Sequence, residues 1–154
     1  MGAAGSITDR YRNGLKERFK RFENKIPKVF ICIRLRPKSK WQFMAWFQYR
    51  KNLRRARIAA RYAVLNGYDP EATTIYFTQF LDDSLVKERE LGMKIGQSRL
   101  ALCNEIWDIR DADEKPSTGM ISDLKFANDN NIIVKGFDFS MIKTWVENYD
   151  KTSH

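Results

Sequence analysis

Four arginines at helical spacing are the residues in this chain that most directly predict a binding chemistry. They follow one another at intervals of four, three and four residues, which puts four guanidinium groups along one side of a helix. This arginine stripe comprises Arg50, Arg54, Arg57 and Arg61, and Lys51 and Arg55 widen it. No Asp or Glu occurs between positions 38 and 66, so local salt bridges cannot neutralise the stripe.

The charge of the whole chain is divided in the same way. Residues 1–66 hold 18 of the 28 Lys and Arg residues against three carboxylates, a balance of +15, whereas residues 67–154 hold ten against 16, a balance of −6. Such a basic half predicts a polyanion or an acidic protein surface as a partner. The stripe therefore has three interpretations: a solvated helix face, a site for nucleic-acid phosphates or a site for an acidic protein.

Aromatic residues crowd the segment just before the stripe. They are Trp41, Phe43, Trp46, Phe47 and Tyr49, five aromatics within nine residues. A small domain has difficulty burying all five rings in one core, so we expect only Phe43 and Trp46 to pack inward. The other three either form a subunit interface, which would make the protein a homo-oligomer, or provide a platform on which bases stack.

Several kinds of catalysis are excluded by composition. The only histidine is the terminal His154, so a Ser-His-Asp triad, a Cys-His pair and a zinc site with His ligands cannot form within the fold. Cys32 and Cys103 lie in or beside apolar runs and are expected to be buried thiols. The chain has no glycine-rich phosphate loop and no long apolar segment, so we expect no metal, no cofactor and no membrane span, in a cytoplasmic protein.

Strand-like and helix-like segments alternate from residue 28 onward. We predict strands at 28–34, 72–80, 105–109 and 132–137, and helices at 8–24, 41–66, 85–103, 119–130 and 140–149, with Gly67 and Ser140 as caps. This alternation predicts a Rossmann-like α/β domain over residues 28–154 that is built on one sheet. The sheet should be mainly parallel, with four or five strands and helices on both faces. Residues 1–27 would add a flexible start and a basic N-terminal helix.

Ligands of such sheets bind at the carboxyl ends of the strands. The positions to search are therefore those just after Ile33, Ile75, Ile109 and Val134. Arg34 and Arg110 stand at two of them. They either bind a phosphate-bearing ligand or fill the pocket by pairing with Asp108, Asp111 or Asp123.

Six ordered segments resemble a known family. They are FICIRLR (30–36), YAVLNGYDP (62–70), YFTQFLDD (76–83), ERELGM (88–93), CNEIW (103–107) and STGM (117–120). Together they resemble a compact bacterial and phage branch of the nucleoside 2-deoxyribosyltransferase-like superfamily, over residues 28–137. The resemblance implies a flavodoxin-like fold and a carboxylate that attacks the anomeric carbon of a nucleoside.

Asp123 is the position that the resemblance assigns to this nucleophile, where the superfamily has the longer Glu. A shift of about 1 Å in a reacting atom can cost about a hundredfold in rate. The chain also has Ile33-Arg34 where the family commonly has Ser-Pro, Thr74 where it has His, and Arg110 where it tends to have Gly. These departures cluster at the expected pocket and predict altered or absent catalysis.

We expect a set of ligand-binding positions around the pocket that the resemblance implies. These are Arg34, Arg36, Thr74, Tyr76, Asp82, Asp83, Arg110, Ser117, Gly119 and Met120. Asp82 and Asp83 have a second interpretation, as residues that cap the helix after them.

Three functions remain open at this point. The first is a catalytically altered relative that binds nucleic acid or a nucleic-acid-handling complex through its basic helices, a role that a phage-type inhibitor of host defence would fit. The second is an N-glycosidic transferase or hydrolase, or a nucleotide-binding protein, that uses Asp123. The third is an oligomeric structural protein.

Overall fold

The computed structural model describes residues 26–38 and 42–154. Within them, four strands and five helices follow one another along the chain. They are β1 (Lys28–Ile33), α1 (Gln42–Leu65), β2 (Asp69–Glu71), α2 (Thr73–Phe77), α3 (Val86–Leu100), β3 (Glu105–Arg110), α4 (Thr118–Asp129), β4 (Ile133–Asp138) and α5 (Phe139–Ser153).

The four strands form one parallel sheet in the order β2-β1-β3-β4. This is the flavodoxin-like order, in which the chain leaves β1 toward one edge and returns to build the other edge from β3. The predicted α/β fold is therefore confirmed. The change of direction between β1 and β3 brings the residues after Ile33 and Ile109 side by side.

Helices cover both faces of the sheet, which is why five of the six residues of β1 are buried. On one face Val29, Ile31 and Trp107 pack against the small residues of α1 and against α5. On the other face Phe30, Cys32 and Ile106 pack with residues of α3 and α4. Both cysteines are buried free thiols, as their neighbours in the sequence predict.

Gly67 ends α1 as the sequence predicts. Its φ of +84° lies in the left-handed region, which glycine adopts without a Cβ penalty. The Gly67 amide donates to the Val64 carbonyl and the Tyr68 amide donates to the Ala63 carbonyl, which are the two hydrogen bonds of a Schellman motif. The edge strand β2 begins at Asp69, two residues after Gly67.

The prediction of a strand at residues 72–80 is wrong. The strand is the charged segment Asp69–Glu71, and Thr73–Phe77 forms a helix instead. A parallel edge strand is held by backbone pairing on one side only, and here Lys28 and Asp69 align in register and form an ion pair of 3.8 Å. The β-branched and aromatic side chains that follow pack around the sheet edge from a helix, where Ile75 reaches the core.

The start of α5 differs by two residues from the prediction. Asp138, rather than Ser140, is its N-cap, and the Asp138 carboxylate accepts hydrogen bonds from the Ser140 amide and hydroxyl. The basic helix predicted at 8–24 and the aromatic Trp41 lie outside the described residues. Among the described helices, none is long and apolar enough to cross a membrane.

Candidate functional site

Arg110 lies at the carboxyl end of β3, where its sequence position predicts a site. Its guanidinium donates two hydrogen bonds to the carboxylate of Asp108, at 2.9 and 2.8 Å, and a third to the backbone carbonyl of Glu114 at 3.3 Å. Two parallel hydrogen bonds, from Nε and Nη2, thus join the guanidinium to both carboxylate oxygens. Of the two interpretations of Arg110, this geometry favours pairing within the protein.

Arg34 follows β1 and pairs with a residue that the sequence did not suggest. Its Nη2 donates to the Lys115 carbonyl at 3.0 Å, and its Nε lies 3.6 Å from Oε2 of Glu114. The side chains of Arg34 and Glu114 are only 14% and 6% exposed. The loop between β3 and α4 therefore lies over Arg34 and brings a carboxylate to it.

Arg55 belongs to the same cluster and not to the solvent-exposed face of α1. Its Nη2 lies 3.1 Å from Glu114 and 3.2 Å from Asp111, and its guanidinium stacks 4.5 Å from the ring centre of Phe139. The predicted role of Arg55 in widening the arginine stripe is therefore wrong. Arg55 lies on the helix side that carries Ala56 and Ala59, and the buried Glu114 and the exposed Asp111 compensate its charge.

Asp123 lies in the second turn of α4 and is partly buried. Burial raises the pKa of its carboxyl to about 6. Burial also raises the pKa of the Cys32 thiol, and the carboxylates of Asp123 and Asp108 raise it further. Asp123 and Asp108 are therefore close enough to Cys32 to affect its thiol. Arg110 acts on the same thiol and lowers its pKa.

An open depression of about 320 Å³ lies at the carboxyl ends of β3 and β4. Four carboxylates line it, those of Asp108, Asp111, Glu114 and Asp138, together with the single cation of Arg110. Each of these carboxylates already accepts from or pairs with a neighbouring group. As long as Glu114 lines it, the depression is too acidic for a phosphate, and Asp123 is not among its lining residues.

The predicted ligand-binding residues near α3 pair with one another at the surface. Arg36 Nε lies 3.0 Å from the Asp83 carboxylate, and both side chains are about half exposed. The Asp82 carboxylate accepts from the amide and hydroxyl of Ser84, and these hydrogen bonds hold its pKa below the usual value. Asp82 therefore stabilises the turn that leads into α3, although the formal N-cap is Leu85.

The remaining predicted ligand-binding residues lie in two separate parts of the fold, α2 and the start of α4. Thr74 and Tyr76 lie in α2: the Thr74 hydroxyl is buried without a hydrogen-bond partner in the described residues, and the Tyr76 ring stacks 4.8 Å from the Arg99 guanidinium. Ser117 caps α4 by accepting from the Met120 amide at 3.3 Å. Gly119 lies in the first turn with open space beside it. The Met120 side chain is buried in the core and cannot contact a ligand there.

The exposed side of α1 forms a second candidate surface, which we term the aromatic–arginine face. It comprises Phe43, Phe47, Arg50, Arg54 and Arg57. These residues recur every three or four positions, so they lie on one line along the helix. Trp46 flanks the line, and the Arg50 guanidinium lies 4.9 Å above its ring. Lys51 is also exposed, and Tyr49 is partly buried.

The expectation that Phe43 and Trp46 pack inward is wrong. Phe43 is 71% exposed and Trp46 is 49% exposed, as is Phe47. The Phe47 ring packs edge to face with those of Phe43 and Trp46, at centroid distances of 4.9 and 5.0 Å. The inner side of α1 is instead occupied by Asn52, Arg55 and small alanines, which leave no room for large rings against the sheet.

Arg61 is the one member of the arginine stripe that is neutralised among the described residues. Its guanidinium donates two hydrogen bonds to the Asp150 carboxylate of α5, one of them at 3.0 Å. Within residues 26–38 and 42–154, no carboxylate pairs with Arg50, Lys51, Arg54 or Arg57. The free charge is thus concentrated on the first two-thirds of α1.

Sequence reasoning missed Glu114 and Asn52 as parts of the carboxyl edge. Glu114 stands in the loop between β3 and α4, and nothing in the local sequence distinguishes it from its exposed neighbour Asp113. Asn52 donates to the Leu35 carbonyl at 3.1 Å and so ties α1 to the segment after β1. Its spacing from Ala56 and Ala59 was the available signal, because it puts all three on one side of the helix.

The fold and this carboxyl edge define a flavodoxin-like α/β protein whose arginines at the carboxyl ends of β1 and β3 are held by internal ion pairs. A family model described as Domain of unknown function (DUF7768) matches residues 27–137, and the chain belongs to that family. No curated protein matches the chain. The matched residues include the whole sheet apart from the last residue of β4.

Proposed function

We propose that this protein binds single-stranded nucleic acid through the aromatic–arginine face of α1. The observation that carries the proposal is the continuity of that face: exposed aromatic rings and uncompensated arginines follow one another along one side of a single helix. From Phe43 to Arg57 the helix rises about 21 Å at 1.5 Å per residue. Bases of a single strand stack on exposed rings, and cations beside the rings hold the phosphates.

The closed carboxyl edge supports binding rather than catalysis as the main activity. Arg110 is held by Asp108, and Arg34 is covered by the loop that carries Glu114. A substrate at this edge would have to displace both pairs. The aromatic–arginine face requires no rearrangement before it meets a polyanion. The cytoplasm, where nucleic acids are abundant, is the location that suits this proposal.

The test is the binding of a labelled single-stranded oligonucleotide, measured by fluorescence anisotropy over a range of salt concentrations. The triple variant Arg50→Gln, Arg54→Gln, Arg57→Gln should bind at least about tenfold more weakly at low salt. Each phosphate contact to a single strand adds about −0.7 to the slope of log affinity against log salt, so the slope should become shallower by about 2.

A matched control removes the same charge elsewhere. Lys87→Gln, Lys94→Gln, Lys125→Gln changes three exposed lysines of α3 and α4 and should leave both affinity and slope close to wild type. Equal losses in the two triple variants, or no binding by the wild type, would contradict the proposal. Equal losses would mean that only the overall charge matters for binding. No binding by the wild type would mean that the aromatic–arginine face has another partner.

Replacing a ring separates nucleic acid from an acidic protein partner. Phe47→Ala should weaken oligonucleotide binding by about tenfold with an unchanged salt slope, because stacking is worth about 1–3 kcal/mol per base and involves no counterions. Polyglutamate lacks bases, so its binding should be insensitive to Phe47. If polyglutamate binds as tightly as the oligonucleotide and Phe47→Ala affects neither, the partner is an acidic polypeptide.

A second candidate function is N-glycosidic bond cleavage or transfer with Asp123. The resemblance to the nucleoside 2-deoxyribosyltransferase-like superfamily supports it, and so does the pKa of about 6 of this carboxyl. Such a pKa leaves the carboxylate mostly ionised at neutral pH, as a nucleophile requires. Release of free base from nucleosides or nucleotides, lost in Asp123→Asn, would support this function. The absence of release from any common nucleoside or nucleotide would remove it.

A further inference from the structure

Arg34 and Arg55 approach the same buried carboxylate from two elements of the fold. Arg34 follows β1 and Arg55 belongs to α1, whereas Glu114 comes from the loop after β3. The side chains of Arg55 and Glu114 are 9% and 6% exposed. This cluster lies where the connection direction changes between β1 and β3, which is the position at which open parallel sheets bind ligands.

The carboxylate matches the two arginines poorly. Arg34 Nε, Arg55 Nε and Glu114 Oε2 are buried and make no hydrogen bond among the described residues. The nearest approach of Arg34 Nε to Glu114 Oε2 is 3.6 Å, which is longer than a hydrogen bond. Buried charged donors without acceptors are costly, so two arginines kept in this state are better suited to an anion with more oxygens.

A phosphate group supplies what the carboxylate lacks. Its terminal oxygens are arranged around a tetrahedral centre, so different oxygens can accept from Nε of Arg34 and from Nε of Arg55 at the same time. Arginine is the side chain best suited to bidentate phosphate binding. The planar carboxylate of Glu114 has two oxygens, and Oε1 is already shared between Arg55 and the Asp111 amide.

Glu114 is placed on a segment that can withdraw it. Asp111, Ala112, Asp113 and Lys115 are all exposed, and only the Glu114 side chain turns inward from this loop. The loop is held at the edge mainly by polar contacts: the Glu114 carbonyl accepts from Arg110 at 3.3 Å and the Lys115 carbonyl accepts from Arg34 at 3.0 Å. An anion that binds Arg34 directly would replace part of what holds the loop.

We propose that Arg34 and Arg55 form a binding site for the phosphate group of a small phosphomonoester, and that Glu114 occupies this site as an internal anion when the ligand is absent. The proposal goes beyond the nucleic-acid surface, since Arg55 is buried under the loop that carries Glu114, whereas Arg54 is exposed. Free phosphomonoesters and the terminal phosphate of a nucleic acid share the chemistry, so the experiment must separate them.

The experiment compares wild type with Glu114→Ala in titrations with inorganic phosphate and with adenosine monophosphate. Sodium chloride at equal ionic strength serves as the reference, and heat of binding or change in Tm is the readout. Because the ligand no longer competes with Glu114, the variant should bind phosphate at least about tenfold more tightly than wild type. Glu114→Ala should also have a lower Tm without phosphate, since Arg34 loses its paired carboxylate and Arg55 keeps only the exposed Asp111.

Two variants control for unspecific effects. Glu90→Ala removes an exposed carboxylate of α3 and should bind phosphate as wild type does. Arg34→Gln in the Glu114→Ala background should abolish the gain. Equal phosphate affinity of wild type, Glu90→Ala and Glu114→Ala would overturn the proposal, as would a gain that persists without Arg34. If a 5′-phosphorylated oligonucleotide shows the gain and adenosine monophosphate does not, the small phosphomonoester is refuted.

If Glu114→Ala does not fold, Glu114→Gln replaces it, because glutamine keeps the shape but binds arginine more weakly. The same order of affinities is expected. In wild type, the side-chain Nε–H resonances of Arg34 and Arg55 should shift on addition of phosphate and not of chloride. Resonances that respond equally to both salts would refute the site without recourse to any variant.

Discussion

The buried carboxyl of Asp123 makes a quantitative prediction about stability and pH. Its pKa is raised to about 6 by burial, roughly two units above the ordinary value for Asp. Because the folded protein binds this proton more tightly than the unfolded chain, the carboxyl favours folding at low pH. That advantage is lost as the pH rises from about 4 to about 6, and above pH 6 an ionised group remains buried at a cost.

The magnitude follows from the size of the shift. Each unit corresponds to about 1.36 kcal/mol, so two units set an upper value of about 3 kcal/mol. Asp123 is only partly buried, and solvent screening lowers the expected cost to about 1–2 kcal/mol. Asp123→Asn removes the ionisation and keeps the shape. At pH 7 this variant should therefore be more stable than wild type by about 1–2 kcal/mol, and at pH 4 the two should be equal.

Urea unfolding at pH 4, 5, 6 and 7 measures this difference, with Asp82→Asn as a control of opposite sign. The pKa of Asp82 is lowered by hydrogen bonds from Ser84, so its carboxylate contributes stability above its ordinary pKa and loses that contribution as the pH falls. Asp82→Asn should accordingly be less stable than wild type at pH 7 and approach it at low pH. A difference for Asp123→Asn that does not change between pH 4 and 7, or that grows as the pH falls, would refute the reasoning.

Two further predictions concern the fold. Gly67→Ala should lower the free energy of unfolding by about 1 kcal/mol in a urea titration, because alanine is strained at a φ of +84°; Gly136→Ala, at an exposed position without positive φ, is the control for loss of a glycine. Trp107→Phe should lower it by about 1–3 kcal/mol, because it leaves a void in the core and removes the hydrogen bond from the indole N–H to Glu105. Unchanged unfolding midpoints would contradict each prediction in turn.

The strands β1 and β3 were predictable from the sequence because they are buried on both sides. A strand covered by helices on both faces is apolar throughout, and β1 has this pattern. The strand β2 was not readable, because a short edge strand that pairs on one side needs no apolar residues. Its segment Asp69–Glu71 contains two carboxylates and a proline. The aromatic run after it has strand-like composition and nevertheless packs as a helix, so tertiary contacts outweighed propensity.

The candidate site was only half predictable, and the reason lies in long-range pairing. The positions of Arg34 and Arg110 at the sheet edge followed from the alternation of elements. Their partners did not: Arg34 meets Glu114 across 80 residues of sequence, and the neutralisation of Arg55 depends on the same carboxylate. The helical spacing of Arg55 did contain a signal, since it lies next to Ala56 and four residues before Ala59. This signal was missed because arginine is usually exposed in folded proteins.

The uneven charge of the sequence acquires a physical meaning once these pairs are known. Five basic residues of the first half form ion pairs with carboxylates of the second half, across the fold. They are Lys28 with Asp69, Arg34 with Glu114, Arg36 with Asp83, Arg55 with Asp111 and Glu114, and Arg61 with Asp150. These pairs neutralise part of the basic half with carboxylates of the acidic half.

The exposed cations Arg50, Lys51, Arg54 and Arg57 of α1 receive no such partner among the described residues. The unbalanced charge of this part of the fold is therefore concentrated beside its exposed aromatic rings. A diffuse excess of charge would favour any polyanion equally, whereas this combination favours one that also offers bases to stack.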